Sequence, residues 1–166
     1  MFEVLNYVCT HLWHDTGRPE LPALEHQLKQ VGFSPDQVGE AMAWLSELQS
    51  AARGPQGDSL AWPAQQQAMP TANATPPRSL RIYTRHEQYR LGVAGLGLIH
   101  FLESVGALPM GTREIVVERA VAAKAAPLPL SDLKTIVLMV YRSLGQLPDT
   151  LILDELCQDH SARIAH

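Results

Sequence analysis

The residues best suited to metal chemistry are Cys9, His11 and His14, spaced Cys-x-His-x-x-His. Zinc asks for three or four convergent ligands of this kind. On a helix, at about 100° per residue, His11 and His14 lie near each other while Cys9 points almost the opposite way. Cys9 also falls on an apolar stripe with Leu5 and Leu12, where a free thiol behaves as a small hydrophobe. We therefore read a core cysteine beside surface histidines and expect no metal. Cys157-x-x-His160 shares one helix face but sits at a fraying terminus.

Gly92-x-x-Gly95-x-Gly97 has the reverse of the dinucleotide-binding spacing, and no strand leads into it. The glycines fall inside a helical pattern, each costing about 1 kcal/mol against alanine, so close approach of a neighbouring helix is the expected reason for them. Glu114 and Glu118, at i and i+4, share a helix face, and a carboxylate pair can do acid–base work. Like charges so placed cost a helix roughly 0.2–0.5 kcal/mol unless a cation offsets them. No His, Ser or Lys constellation accompanies them, so a structural ion pair with an arginine from the other half of the chain is expected. Nucleophile elbow, P-loop, paired CxxC and HExxH motifs are all missing. The chain reads as non-enzymatic, with no cofactor.

The elements that would position these residues fall into three stretches. The chain has 166 residues, with 13 basic and 17 acidic side chains for a formal charge of −4. Apolar residues at 46% permit an ordinary core, which excludes wholesale disorder. No run approaches the roughly 18 apolar residues of a membrane crossing. The start lacks a signal-peptide pattern, and two cysteines cannot build a disulfide framework, so a cytoplasmic location is expected.

Residues 1–52 show three helical patterns. Val4/Leu5, Val8/Cys9 and Leu12 mark the first, which Gly17 and Pro19 end; Leu24, Leu28 and Val31 mark the second, which stops at Gly32. The third opens on Ser34-Pro35-Asp36-Gln37, a capping box with proline at the first helical position. The result is a trihelical, helix-turn-helix or winged-helix-like lobe. Residues 53–79, rich in Pro and Gln and holding Trp62, read as a flexible linker. Residues 80–166 read as a second helical lobe. Leu80 to Tyr83 alternates like a short strand, and Thr84-x-x-Glu87 boxes the start of a long helix that Gly106 closes. Thr112 and Ser131 cap two more helices, the latter closed by Gly145, and a last amphipathic piece runs from Leu151 to about Cys157. The fold class is mostly α, with two lobes and at most one or two short strands near 80–83.

A helix-turn-helix raises nucleic acid as a partner, but residues 1–52 carry two basic and seven acidic side chains. The third helix presents Asp36, Glu40 and Glu47 with no Lys or Arg before Arg53, and phosphate binding needs cations. Positive charge gathers elsewhere: Arg78, Arg81, Arg85 and Arg90, with His86 and Tyr83, lie close together against the single acid Glu87. This patch suits internal docking on the acidic first lobe, a protein partner, or nucleic acid. The expected contact surface combines Arg81, Tyr83, Arg85 and Arg90 with the Arg113, Glu114, Glu118 and Arg119 face.

Several strings resemble the Smg family of bacterial proteins: Met1-Phe2-Glu3-Val4-Leu5-Asn6-Tyr7, Gly32-Phe33, Arg81-Ile82-Tyr83-Thr84, Phe101-Leu102-Glu103 and Thr112-Arg113-Glu114-Ile115-Val116-Val117-Glu118-Arg119. Asp132-Leu133-Lys134 followed by Val137-Leu138-Met139-Val140 adds to them, and the likeness covers nearly the whole chain outside the linker. It implies no defined activity; family genes often neighbour those for DNA-processing and tRNA-modifying proteins. Relatives tend to carry Cys-Arg-Gly where this chain has Gly95-Leu96-Gly97, so cysteine chemistry at that place is not expected here. The combined expectation is an interaction adaptor with an unidentified protein partner. The alternative is a nucleic-acid accessory protein using the Arg78–Arg90 patch.

Overall fold

The computed structural model describes residues 1–13, 19–53, 81–146 and 148–157, all helical or irregular, with no strand among them. Helix α1 (Phe2–Tyr7) runs on into a π-helical turn, Val8–Leu12, closed by the Trp13 amide donating to the Val8 carbonyl at 2.8 Å. Then follow α2 (Leu21–Val31), α3 (Pro35–Ala51), α4 (Arg85–Ser104), α5 (Met110–Ala122), α6 (Leu130–Ser143) and α7 (Thr150–Cys157). The linker beyond Arg53, with Trp62, lies outside the described residues, as do His14, Gly17, Arg78, Leu80 and His160.

Local chemistry sets most of the boundaries. Ser34 Oγ accepts the Gln37 amide at 3.4 Å, and Pro35 occupies the first turn of α3. Thr84 and Glu87 complete a reciprocal capping box: Thr84 Oγ1 accepts the Glu87 amide at 3.2 Å, and the Thr84 amide donates to Glu87 Oε2 at 2.8 Å. Helices α4 and α6 both end in Schellman motifs. Gly106 (φ 74°) and Gly145 (φ 68°) take the left-handed position. The Ala107 amide bonds to the Leu102 carbonyl, and the Gln146 amide to the Tyr141 carbonyl.

Four expectations need correction. Helix α5 starts at Met110 and α6 at Leu130, ahead of Thr112 and Ser131. Pro109 and Pro129, with φ near −58° and extended ψ, already hold the entry geometry, so no hydroxyl cap is needed. Thr112 is instead buried. Arg81 to Tyr83 is irregular and not a strand: no strand exists among the described residues to pair with it, and an unpaired strand has no ladder. Its alternation is real burial, with Tyr83 inside and Ile82 87% exposed. Gly92 (φ 65°, ψ 175°) breaks α4 rather than sitting within it, and the Arg90 carbonyl accepts the Leu128 amide at 2.8 Å. Gly95 does mark a close approach, since a Cβ there would meet Leu133 Cδ2 at 3.1 Å; Gly97 has no neighbour within 4 Å.

Helix α6 is the axis of the molecule. Leu133, Ile136, Val137, Met139 and Val140 are all essentially inaccessible, as befits a helix whose wide apolar face is enclosed by neighbours. It packs against α1, the π turn and α3 from the first segment, and against α4, α5 and α7 from the second. The two segments thus share one hydrophobic core. Arg142 ties them at its end, donating to the carbonyls of Cys9 and Trp13.

Candidate functional site

The residues singled out from the sequence form an ionic clasp between the start of α4 and the outer turns of α5. Arg81 grips Glu114 with a fork, Nε to Oε1 at 2.8 Å and Nη2 to Oε2 at 2.8 Å, and reaches Glu87 Oε1 at 2.9 Å. Its guanidinium also lies 4.5 Å from the centre of the Tyr83 ring, a cation–π arrangement. Arg113 bridges Glu103 and Glu114, with Nη2 at 2.9 Å from Glu114 Oε1. Arg119 joins Glu118 at 2.9 Å to Glu47 of α3 at 2.6 Å, and its carbonyl accepts the Trp44 indole N–H at 3.3 Å. Arg90 donates to the Val121 carbonyl at 2.7 Å.

The arginines beside Glu114 and Glu118 come from their own segment, which corrects the expected origin of those cations. Pairs that cross between the segments run the other way, from Arg119 to the acid Glu47 and from Lys124 to the acid Glu40. Of the eight residues expected at a contact surface, only Arg85 and Glu118 are exposed. Arg85 forms no ion pair among the described residues. The hydrogen bond from Arg81 lowers the Glu87 carboxyl below its ordinary range, more than burial raises it. Burial disfavours the charged Arg81, yet Glu87 and Glu114 together hold its pKa above the usual value.

The Glu87 shift has a testable sign. A depressed folded-state pKa contributes stability above the unfolded value of about 4.3, and that contribution is lost as pH falls through the lower folded value. We expect Glu87→Gln to flatten part of the acid limb of stability below about pH 4.3. Urea midpoints compared at pH 7 and pH 3 check this. Glu40, lowered chiefly by its hydrogen bond to Lys124, keeps the rest of the limb in place.

Cys9 is buried on the core side, and burial pushes its thiol up and away from a metal-binding thiolate. His11 is exposed and packs on Tyr7 with ring centres 4.6 Å apart. His14 lies outside the described residues, and no cluster of three metal-type ligands exists among the described ones.

A second feature escaped the sequence reading. An apolar groove of about 820 Å³ opens where α4, α6 and α7 end or begin. Phe101, Val105, Gly106 and Ala107 line it from the end of α4 and the turn beyond, Tyr141, Gln146 and Pro148 from α6 and the chain that follows, and Asp149, Leu151, Ile152 and Glu155 from the start and body of α7. Tyr141 donates its hydroxyl to the Ala107 carbonyl, and burial raises its pKa to about 12. Leu151 is 80%, Val105 52% and Phe101 45% exposed. A signal for it existed: Val93, Gly97, Phe101 and Val105 recur at i+4 beside the buried stripe of Leu91, Leu98 and Leu102.

Across the described residues these features define a mostly helical protein with a shared core, a clasp of largely buried arginines and an open apolar groove. Among the described residues no helix is long and apolar enough to cross a membrane. A family model described as "Protein of unknown function (DUF494)" matches residues 1–166. The chain is 40% identical over 166 residues to a Protein Smg homolog of Methylibium petroleiphilum, and 41% identical to one of Leptothrix cholodnii. It is 34% identical to that of Bordetella pertussis, and each of these alignments spans the whole of both chains. No solved structure matches. The chain belongs to the Smg family.

Proposed function

We propose that this chain is a non-enzymatic interaction adaptor that binds a protein partner in the groove between α4, α6 and α7. The groove itself carries the reading. Large apolar side chains left in water around one concavity mark interaction sites, and aromatic or aliphatic anchors buried at the centre of an interface supply most of its energy. The arginine surface expected from the sequence gives the reading less support, because Arg81, Arg113 and Arg119 already serve internal carboxylates. The same commitment weakens the nucleic-acid alternative, since each phosphate contact needs a cation free to replace a counterion. A cytoplasmic setting agrees with the free thiols of Cys9 and Cys157.

The test compares the full chain with its Leu151→Asp/Val105→Asp variant in affinity purification from the native cell, with and without nuclease. A partner that survives nuclease and disappears with the variant is the expected result. Identical partner lists for both chains would remove the groove from consideration.

A further inference from the structure

The groove's electrostatics specify the partner further, and this step rests on the groove being a protein-binding site. Among the described residues no Lys or Arg lines it, whereas Asp149 and Glu155 do. Helix α4 delivers its carboxyl end there through Val105 and Gly106, and α6 delivers its own through Gln146. Each helix C-terminus carries roughly half a negative charge. The opposing positive end, at the start of α7, is capped by Asp149, whose Oδ1 accepts the Leu151 amide at 3.0 Å. Lys134, its side chain 6% exposed, meets Glu155 at 3.3 Å and offsets part of that charge, which leaves Asp149 and the two helix ends as the main negative features. An apolar trough with a negative rim therefore repels nucleic acid and anionic membranes.

We infer that the groove takes a cationic amphipathic helix of a partner protein, its apolar side chains against Phe101, Val105 and Leu151 and its Lys or Arg residues toward Asp149 and the two helix ends. Anchors spaced i, i+3 or i+4, i+7 are the way a helix fills such a trough.

A displayed library of random 16-residue peptides, selected on the full chain and counter-selected on Leu151→Ser, tests this. Leu151 lies in water, so the serine variant keeps the fold. Enriched sequences should show helical apolar spacing with an excess of Lys and Arg. Their synthetic forms should bind about two- to fivefold more weakly to Asp149→Asn, a change that keeps the α7 cap because asparagine caps as well as aspartate. Leu151-dependent peptides that are neutral or acidic would overturn the charge assignment and leave the groove standing. Absence of any Leu151-dependent enrichment would overturn the groove reading itself. Leu151-dependent self-association of the chain in sedimentation would make a second copy the occupant and overturn the inference.

Discussion

Arg113→Met is expected to lower the unfolding free energy by about 3 kcal/mol, the lower end of the range for removing one partner of a buried pair. The Arg113 side chain is 7% exposed, and its guanidinium stands between Glu103 and Glu114. Its loss leaves two carboxylates facing each other across the space that the cation filled. Both retain some solvent, and Arg81 still holds Glu114, which keeps the effect from reaching the upper end. Arg85→Met, on an exposed side chain of the same expected surface, should change stability by less than about 0.5 kcal/mol. Urea unfolding followed by circular dichroism at pH 7 separates the two. A loss below about 1 kcal/mol in Arg113→Met would mean that the clasp is a weak surface network. Adding Glu103→Gln to Arg113→Met should restore part of the loss, because the second substitution removes the carboxylate charge that Arg113 had balanced.

The contrast between Arg113 and Arg85 shows what the sequence could and could not reveal. Arg81, Arg85, Arg90, Arg113 and Arg119 look alike as letters, and only tertiary packing decides which of them meets an acid. Glu47, Glu87, Glu103 and Glu114 come from three different helices, so no local window contains the clasp. Features set within four or five residues were legible: the Ser34 and Thr84 caps, the Gly32–Ser34 turn, and the stops at Gly106 and Gly145. The entries to α5 and α6 were displaced because proline fixed the backbone where a hydroxyl cap was expected. The break at Gly92 was hidden because glycine in a helix and glycine at a kink read the same until Leu128 is seen bonding to the Arg90 carbonyl. The groove stayed hidden because its walls belong to three helices whose ends meet only in the folded chain.

The largest loss is expected from Ile136→Ala, at about 2–5 kcal/mol. Ile136 is fully buried on α6, which packs against α1 and α3 on one side and α4, α5 and α7 on the other. A cavity in the helix that both segments pack against should weaken both together. Tryptophan fluorescence in a Trp62→Phe background reports on the first segment, because Trp13 and Trp44 are both buried within it. Ellipticity at 222 nm reports on all the helices. Because the two segments share one core, the two signals should lose structure at one midpoint in the parent chain. In Ile136→Ala that midpoint should drop by roughly 5–15 °C for a chain of this size. A first segment that keeps its tryptophan signal while ellipticity falls would mean that α1 to α3 stand as an independent lobe. The contacts of Arg142 with Cys9 and Trp13, and of Arg119 with Glu47, argue for the single transition. Each places a guanidinium of the second segment, 7% exposed for Arg119, against polar atoms of the first. Separating the segments would take the Cys9 and Trp13 carbonyls from Arg142 and Glu47 from Arg119 while exposing the α6 face, and the costs fall in the same step.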